Sequence, residues 1–189
     1  IVAASLHVLR IILSGAYKLR TYSYRLGLFI FALIVFEAYA GYLLPMDQLS
    51  FWAAKTGLEL VRILPFGDFI SSILAPGGAG SRLTLTRYFA LHSVLIPFTL
   101  MIITSIHMFA IRREGLSSAG DKISQAALFS KLKILLPSLV IIILITSYIT
   151  GAPLSEPADP SNPPNPVQSA WFLLFIQEIV SWRAWLFNI

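Results

Sequence analysis

Two imidazoles in one apolar run are the residues best placed to do chemistry: His92 and His107, within LTLTRYFALHSVLIPFTLMIITSIHMFAI at positions 83–111. From Tyr88 onward this run has about the length needed to cross a bilayer as one helix. At ~1.5 Å rise per residue, a fifteen-residue separation is about 22 Å along the axis, and the two directions differ by roughly 60°. One helix would therefore present an imidazole near each side of a membrane, both facing broadly one way. An ionisable ring inside a spanning segment is costly and points to function. The alternative is a plain hydrogen bond from each ring to a neighbouring helix. A pair at this spacing argues for a bound group at two depths.

Further candidates flank this pair. His7 is followed three residues later by Arg10, and Arg87 lies five residues before His92. On the preceding apolar stretch, Gly27 and Gly41 are fourteen apart, which returns them to within roughly 40° of one face about 21 Å apart. Glycine in a spanning helix permits close approach, and plain helix packing is the alternative. Here the two gaps recur at nearly the spacing of the two histidines. Two flat ligands stacked across the membrane would need that pattern, and haem with two axial histidines is the natural candidate. Glu37, one turn before Gly41, could relay protons or hydrogen-bond a ligand; a neighbouring hydroxyl would equally satisfy it. Pro97 removes a backbone donor and should kink the helix behind His92. Asp47, Glu59 and Asp68 read as solvated loop charges rather than metal ligands.

The elements that must carry these residues are helical and membrane-bound. The chain is 57% hydrophobic and 12% charged, with a mean hydropathy of +0.77, far more apolar than a soluble domain. Several runs approach or exceed eighteen apolar residues, which predicts an all-α integral membrane bundle of about four to five membrane segments. The absence of cysteine excludes disulfides, thiolate metal sites and thioether-linked haem within these residues. The net charge of +5 sits in short loops beside apolar spans, so it is no nucleic-acid signal. The opening Ile-Val-Ala-Ala reads as the middle of a helix, with more chain expected before it.

In order, residues 1–13 read as the end of a span, 14–25 as a polar connection and 26–44 as a span closed by Pro45. Residues 46–82 form a long connection, with short interfacial helices expected at 51–64 and 66–74. After the two-histidine helix come a polar loop at 115–133, a span at 134–150 and a proline-rich loop at 151–166. Residues 167–189 read as a shortened span or an interfacial helix, with Trp171, Trp182 and Trp185 suited to an aromatic belt. This divides the chain into a binding core at 1–113 and C-terminal membrane segments at 114–189. The connections 14–25 and 112–133, with Arg10, carry nine of the fourteen Lys and Arg. The positive-inside rule places them on the cytoplasmic side. His7 and His107 then share a depth and suggest a shared ligand, while His92 lies towards the other side.

Five stretches together resemble the cytochrome b family, the membrane core of quinol-oxidising bc and bf complexes. They are HVLRIILSGAYK (7–18), GYLLPMDQLSFWAAKTG (41–57), TLTRYFALHSVLIPF (84–98), IHMFAIRREG (106–115) and EPADP (156–160). The histidine spacing and the EPADP loop look most like the bf and related bacterial forms. The resemblance implies two b-type haems: His7 and His107 as axial ligands of the high-potential one, and His92 as one ligand of the low-potential one. A partner for His92 is expected about fourteen residues before His7. Arg10 and Arg87 would pair with haem propionates, while Gly27 and Gly41 would make room for the rings. Residues 114–189 would correspond to the second part of the family's chain.

The resemblance further implies quinone or menaquinone as a substrate, membrane lipid as surroundings, and a hetero-oligomer with an iron–sulfur protein or a c-type cytochrome. A bacterial or archaeal energy-transducing membrane is the expected location. Two positions depart from the family. Its Pro-Trp-Gly is here Pro45-Met46-Asp47, and its Pro-Glu-Trp-Tyr aligns with Ser169-Ala170-Trp171-Phe172. The carboxylate expected to take a quinol proton is thus replaced, and Asp47 is the candidate substitute. Two other readings stay open: a haem-bearing anchor of another oxidoreductase without bifurcated quinol oxidation, and a proton-coupled helical transporter using Glu37 and the histidines.

Overall fold

The computed structural model describes residues 1–114, 125–151, 154–164 and 170–187, without the side chains of 125–129, 131–132, 180–181 and 183–187. The expectations that rest on the loop charges Lys122 and Lys131, on Ser169 and on the side chain of Trp185 lie outside the described residues. The chain divides into two units, Ile1–Gly115 with Ser155–Ile189, and Leu116–Leu154. All regular structure among the described residues is helical, apart from one isolated bridge between Asp47 and Pro157.

In the larger unit, α1 (Val2–Leu13) and a short α2 (Ala16–Leu19) lead into α3 (Thr21–Tyr42). Two shorter helices follow, α4 (Gln48–Arg62) and α5 (Gly67–Leu74). Then α6 (Arg82–Ala90) continues through a π-helical turn (Leu91–Leu95) into α7 (Ile96–Glu114). A 3₁₀ turn (Trp171–Leu173) opens the last helix, Leu174–Phe187. The smaller unit holds one helix, α8 (Gln125–Thr150), containing Pro137. Three of its hydroxyls bond its own carbonyls one turn back, Ser138 to Ile134 at 2.8 Å, Thr146 to Ile142 at 2.7 Å and Thr150 to Thr146 at 2.8 Å, as lipid surroundings favour.

Among the described residues, three helices are long and apolar enough to cross a membrane: Thr21–Tyr42, Arg82–Glu114 and Lys133–Thr150. α1 is apolar but shorter. Large apolar side chains point outward along the spans, Phe98, Met101 and Phe109 on α7 being 57%, 59% and 67% exposed. In water such a surface would be an aggregation liability; against acyl chains it is the expected outer face. The protein is an integral membrane protein.

Several boundaries differ from the expected ones. The polar connection at 14–25 is mostly helical. The chain turns at Gly15, in the left-handed region at φ 68°, is helical over Ala16–Leu19, leaves helical conformation once more at Arg20 (φ −138°, ψ 60°) and is helical again from Thr21. Polar and aromatic residues at a membrane interface do not themselves break a helix; the Ser14-Gly15 corner and Arg20 do. Likewise α8 starts at Gln125, because its polar first turns continue the apolar span. The loop helices occur where expected, although α4 begins three residues early because Asp47 caps it.

The core of the larger unit lies where α3, α4 and α6–α7 meet. Ala40, Leu43, Ala54, Leu58, Tyr88 and Ile96 are all buried there. Tyr39 ties α3 to this core: its ring meets Tyr88 edge-on at 6.2 Å, and its hydroxyl donates to the Ala53 carbonyl at 3.1 Å.

Candidate redox site

His92 sits inside the π-helical turn. The Ile96 N–H bonds the Leu91 carbonyl five residues back, which widens the helix by one residue just before Pro97. Proline cannot donate to a carbonyl four residues earlier, so the distortion expected from Pro97 takes the form of a π turn. From this turn the His92 imidazole faces α3. Its Nδ1 lies 3.0 Å from the Glu37 main-chain carbonyl and 3.1 Å from Glu37 Oε1. The ring also lies over Gly41, where a methyl group would stand 2.5 Å from His92 Cε1. Glu37, Gly41 and His92 therefore form one cluster at the α3–α6–α7 junction. The other carboxylate oxygen, Glu37 Oε2, is buried without a partner.

His107 lies against the other glycine of α3. A methyl at Gly27 would stand 3.3 Å from His107 Cε1. His7 and His107 line one small cavity of about 100 Å³, together with Gly27, Arg20 and Ser23. His107 Nδ1 is buried without a partner. At the mouth, the Ser23 hydroxyl donates to Glu114 Oε2 at 2.7 Å, joining the first turn of α3 to the last of α7. His7 and Glu114 both lie close enough to His107 to act on it electrostatically.

Neither arginine singled out from the sequence lines this cavity. Arg10 is exposed in the last turn of α1, and Arg20 rather than Arg10 lines the His7–His107 cavity. Arg87 is exposed and donates to the Ile73 carbonyl at the end of α5. Arg20, Ser23 and Glu114 were missed in the sequence because they sit in what read as loop charge. Only their place on the faces of Gly27 and His107, one and two turns away, could have flagged them.

These residues fit haem. The histidines come singly or in a facing pair, and no group of three or more His, Asp or Glu able to hold a bare ion occurs among the described residues. Such a donor set suits an iron that brings its own equatorial ligands. His107 offers a buried nitrogen with no partner, and each glycine lies opposite a histidine. The cavity between His7 and His107 is smaller than ligand pockets usually are, roughly 300 Å³ and upward. α1, which buries none of its residues, supplies His7, Val8 and Ile11 to its wall.

A second, larger cavity of about 570 Å³ lies between α3, α4 and the last helix. Phe31, Phe36 and Leu49 make it apolar, while Tyr39, Trp52, Thr56 and Gln177 add polar atoms. Ala170 stands on its wall, and among the described residues no carboxylate lines it. Asp47 has another place. It caps α4 through the Ser50 N–H at 3.0 Å, accepts from the Ser50 hydroxyl at 2.7 Å, and takes the Ser155 N–H at 2.8 Å on its other oxygen. Burial alone would raise its pKa. The bonds from the Ser50 main chain, the Ser155 main chain and the Ser50 hydroxyl outweigh burial and hold it below the ordinary carboxylate value. It is a poor base and a good clamp.

The same clamp fixes the EPADP loop. Gln48 N–H donates to the Glu156 carbonyl at 2.7 Å, and its side chain bonds Asp159 N–H at 2.6 Å and the Asn162 carbonyl at 2.6 Å. Trp52 Nε1 donates to the Asp159 carbonyl at 3.2 Å.

Residues 1–161 match the family described as Cytochrome b(N-terminal)/b6/petB. The chain is also 30% identical over 184 residues to a cytochrome b of Schizosaccharomyces octosporus, covering 89% of this chain and 47% of that one. It thus spans about half the length of the curated relative it matches. With three spanning helices, histidines opposed to glycines at two depths and this match over most of its length, the chain belongs to the cytochrome b family.

Proposed function

We propose that the chain carries electrons across an energy-transducing membrane, between a quinone pool and partner redox subunits, through two b-type haems. One haem is held by His7 and His107. The other has His92 as one of its ligands. The observation that carries this reading is the pairing of each α3 glycine with an imidazole: Gly27 with His107 and Gly41 with His92. A bis-imidazole haem supplies a one-electron carrier of low reorganisation. The chain's own residues do the rest. The histidines donate nitrogen, the glycines leave room for flat rings, and Arg10, Arg20 and Arg87 offer cations for haem carboxylates near either surface.

The 570 Å³ cavity suits a quinone ring and tail. Quinol oxidation there needs a base within hydrogen-bond reach of the ring oxygen. Ala170 cannot act as one, and Asp47 is engaged in capping α4. The reading is therefore quinone binding without the family's usual proton acceptor, in a hetero-oligomer with an iron–sulfur protein or a c-type cytochrome. The basic connections near 14–25 and 112–133 face the cytoplasm by the loop-charge rule. Redox difference spectra of the purified membrane complex test the reading: two low-spin b haems per chain are expected. A complex without b haem would favour the proton-coupled transporter instead.

A further inference from the structure

We infer that Glu37 is a positioning residue for His92, holding the imidazole by its Nδ1–H and lowering the reduction potential of the haem that His92 ligates. The inference rests on the haem reading above and goes beyond it, since it assigns a charged partner to one axial ligand only. The geometry is specific. His92 Nδ1 is shared between the Glu37 carbonyl at 3.0 Å and Glu37 Oε1 at 3.1 Å. A proton held on Nδ1 leaves Nε2 as the metal-binding nitrogen, and the hydrogen bond fixes the ring's rotation. A carboxylate acceptor makes the bond charge-assisted and the ring more basic, which favours ferric over ferrous iron.

The site is built for this role. Glu37 is one turn from Gly41, so α3 delivers the carboxylate and the gap for the ring from one face. Its side chain is 20% exposed and that of His92 35%, so water screens the pair only in part. No basic side chain other than His92 itself meets Glu37 in an ion pair among the described residues. At the other end of the same helix pair His107 Nδ1 has no such partner. The two sites are thus unlike in the hydrogen bond their imidazoles make.

The main-chain carbonyl of residue 37 survives any substitution, so removing the carboxylate should leave the ring held but less basic. Potentiometric titration of the haem-loaded membrane complex, comparing wild type with Glu37→Gln and Glu37→Ala, tests this. His92→Ala identifies which of the two waves belongs to His92. Both Glu37 variants should keep two haems and raise the His92 wave alone. The expected size is about tenfold in the reduced-to-oxidised ratio at fixed ambient potential, which is 59 mV for one electron. The low-spin electron paramagnetic resonance signal of that haem should shift with it. An unchanged or lowered potential in Glu37→Gln overturns the inference. So does loss of that haem from both variants, because the carbonyl alone should then have been enough. A wild-type complex with no b haem overturns the haem reading itself, which is a separate result.

Discussion

At the scale of single residues, the chemistry was legible where it is made of rare residue types. Three histidines in a 189-residue apolar chain stand out, and two glycines on the preceding helix predict which faces must come close. Their partners were less legible. Arg20 and Ser23 look like interface residues of no distinction until α3 is seen to start at Thr21 and bring Ser23 beneath His107. Asp47 shows the reverse case. Its position beside a departed motif suggested a proton acceptor, but Asp two residues before Leu49 is also a helix N-cap, and the structure gives it that place. Replacing Asp47 by Ala should cost about 2 kcal/mol, roughly 1 for the cap and about 1 for the lost Ser155 bond. Thermal unfolding of the detergent-solubilised protein would measure it. Because the folded pKa is depressed, this stability is fully present above the unfolded value near 3.8 and is lost as pH falls through the lower folded one. The difference between wild type and Asp47→Ala should therefore shrink below about pH 4.

Among the elements, the spans and the two loop helices followed from hydropathy and length, while their ends did not. Apolar periodicity stops at the membrane interface, whereas a helix stops only where hydrogen bonding or backbone conformation changes, as at Gly15. The π turn at Leu91–Leu95 was signalled by Pro97 only as a kink. It matters because a widened turn changes the angle between His92 and His107 from the roughly 60° of a straight helix. Because a π turn is one residue added to an α-helix, deleting Ser93 should return the segment to α-helical register and leave His92 on its present face relative to His107. Both haems should then be retained, read as wild-type haem content by pyridine haemochrome assay. Loss of the His92 haem alone would mean that the widened turn itself aims the ring.

For the whole molecule, composition alone required a membrane bundle, and the resemblance in five ordered stretches anticipated the family to which the chain belongs. What could not be read was how the proline-rich loop closes over α4. Its main chain bonds Asp47, Gln48 and Trp52, and nothing in the pattern of residues 155–162 names these partners. Trp52, one of them, lines the large apolar cavity. The proposed electron transfer across the bilayer depends on a second, simpler property, namely two imidazole sites at two depths on one continuous helix, each opposite a glycine of α3.

Haem content and redox difference spectra of His107→Ala in the purified complex test that claim most directly. The account predicts one b haem per chain in place of two, with the His92 wave still present and the His7–His107 wave gone. Two haems at full occupancy in His107→Ala would contradict it.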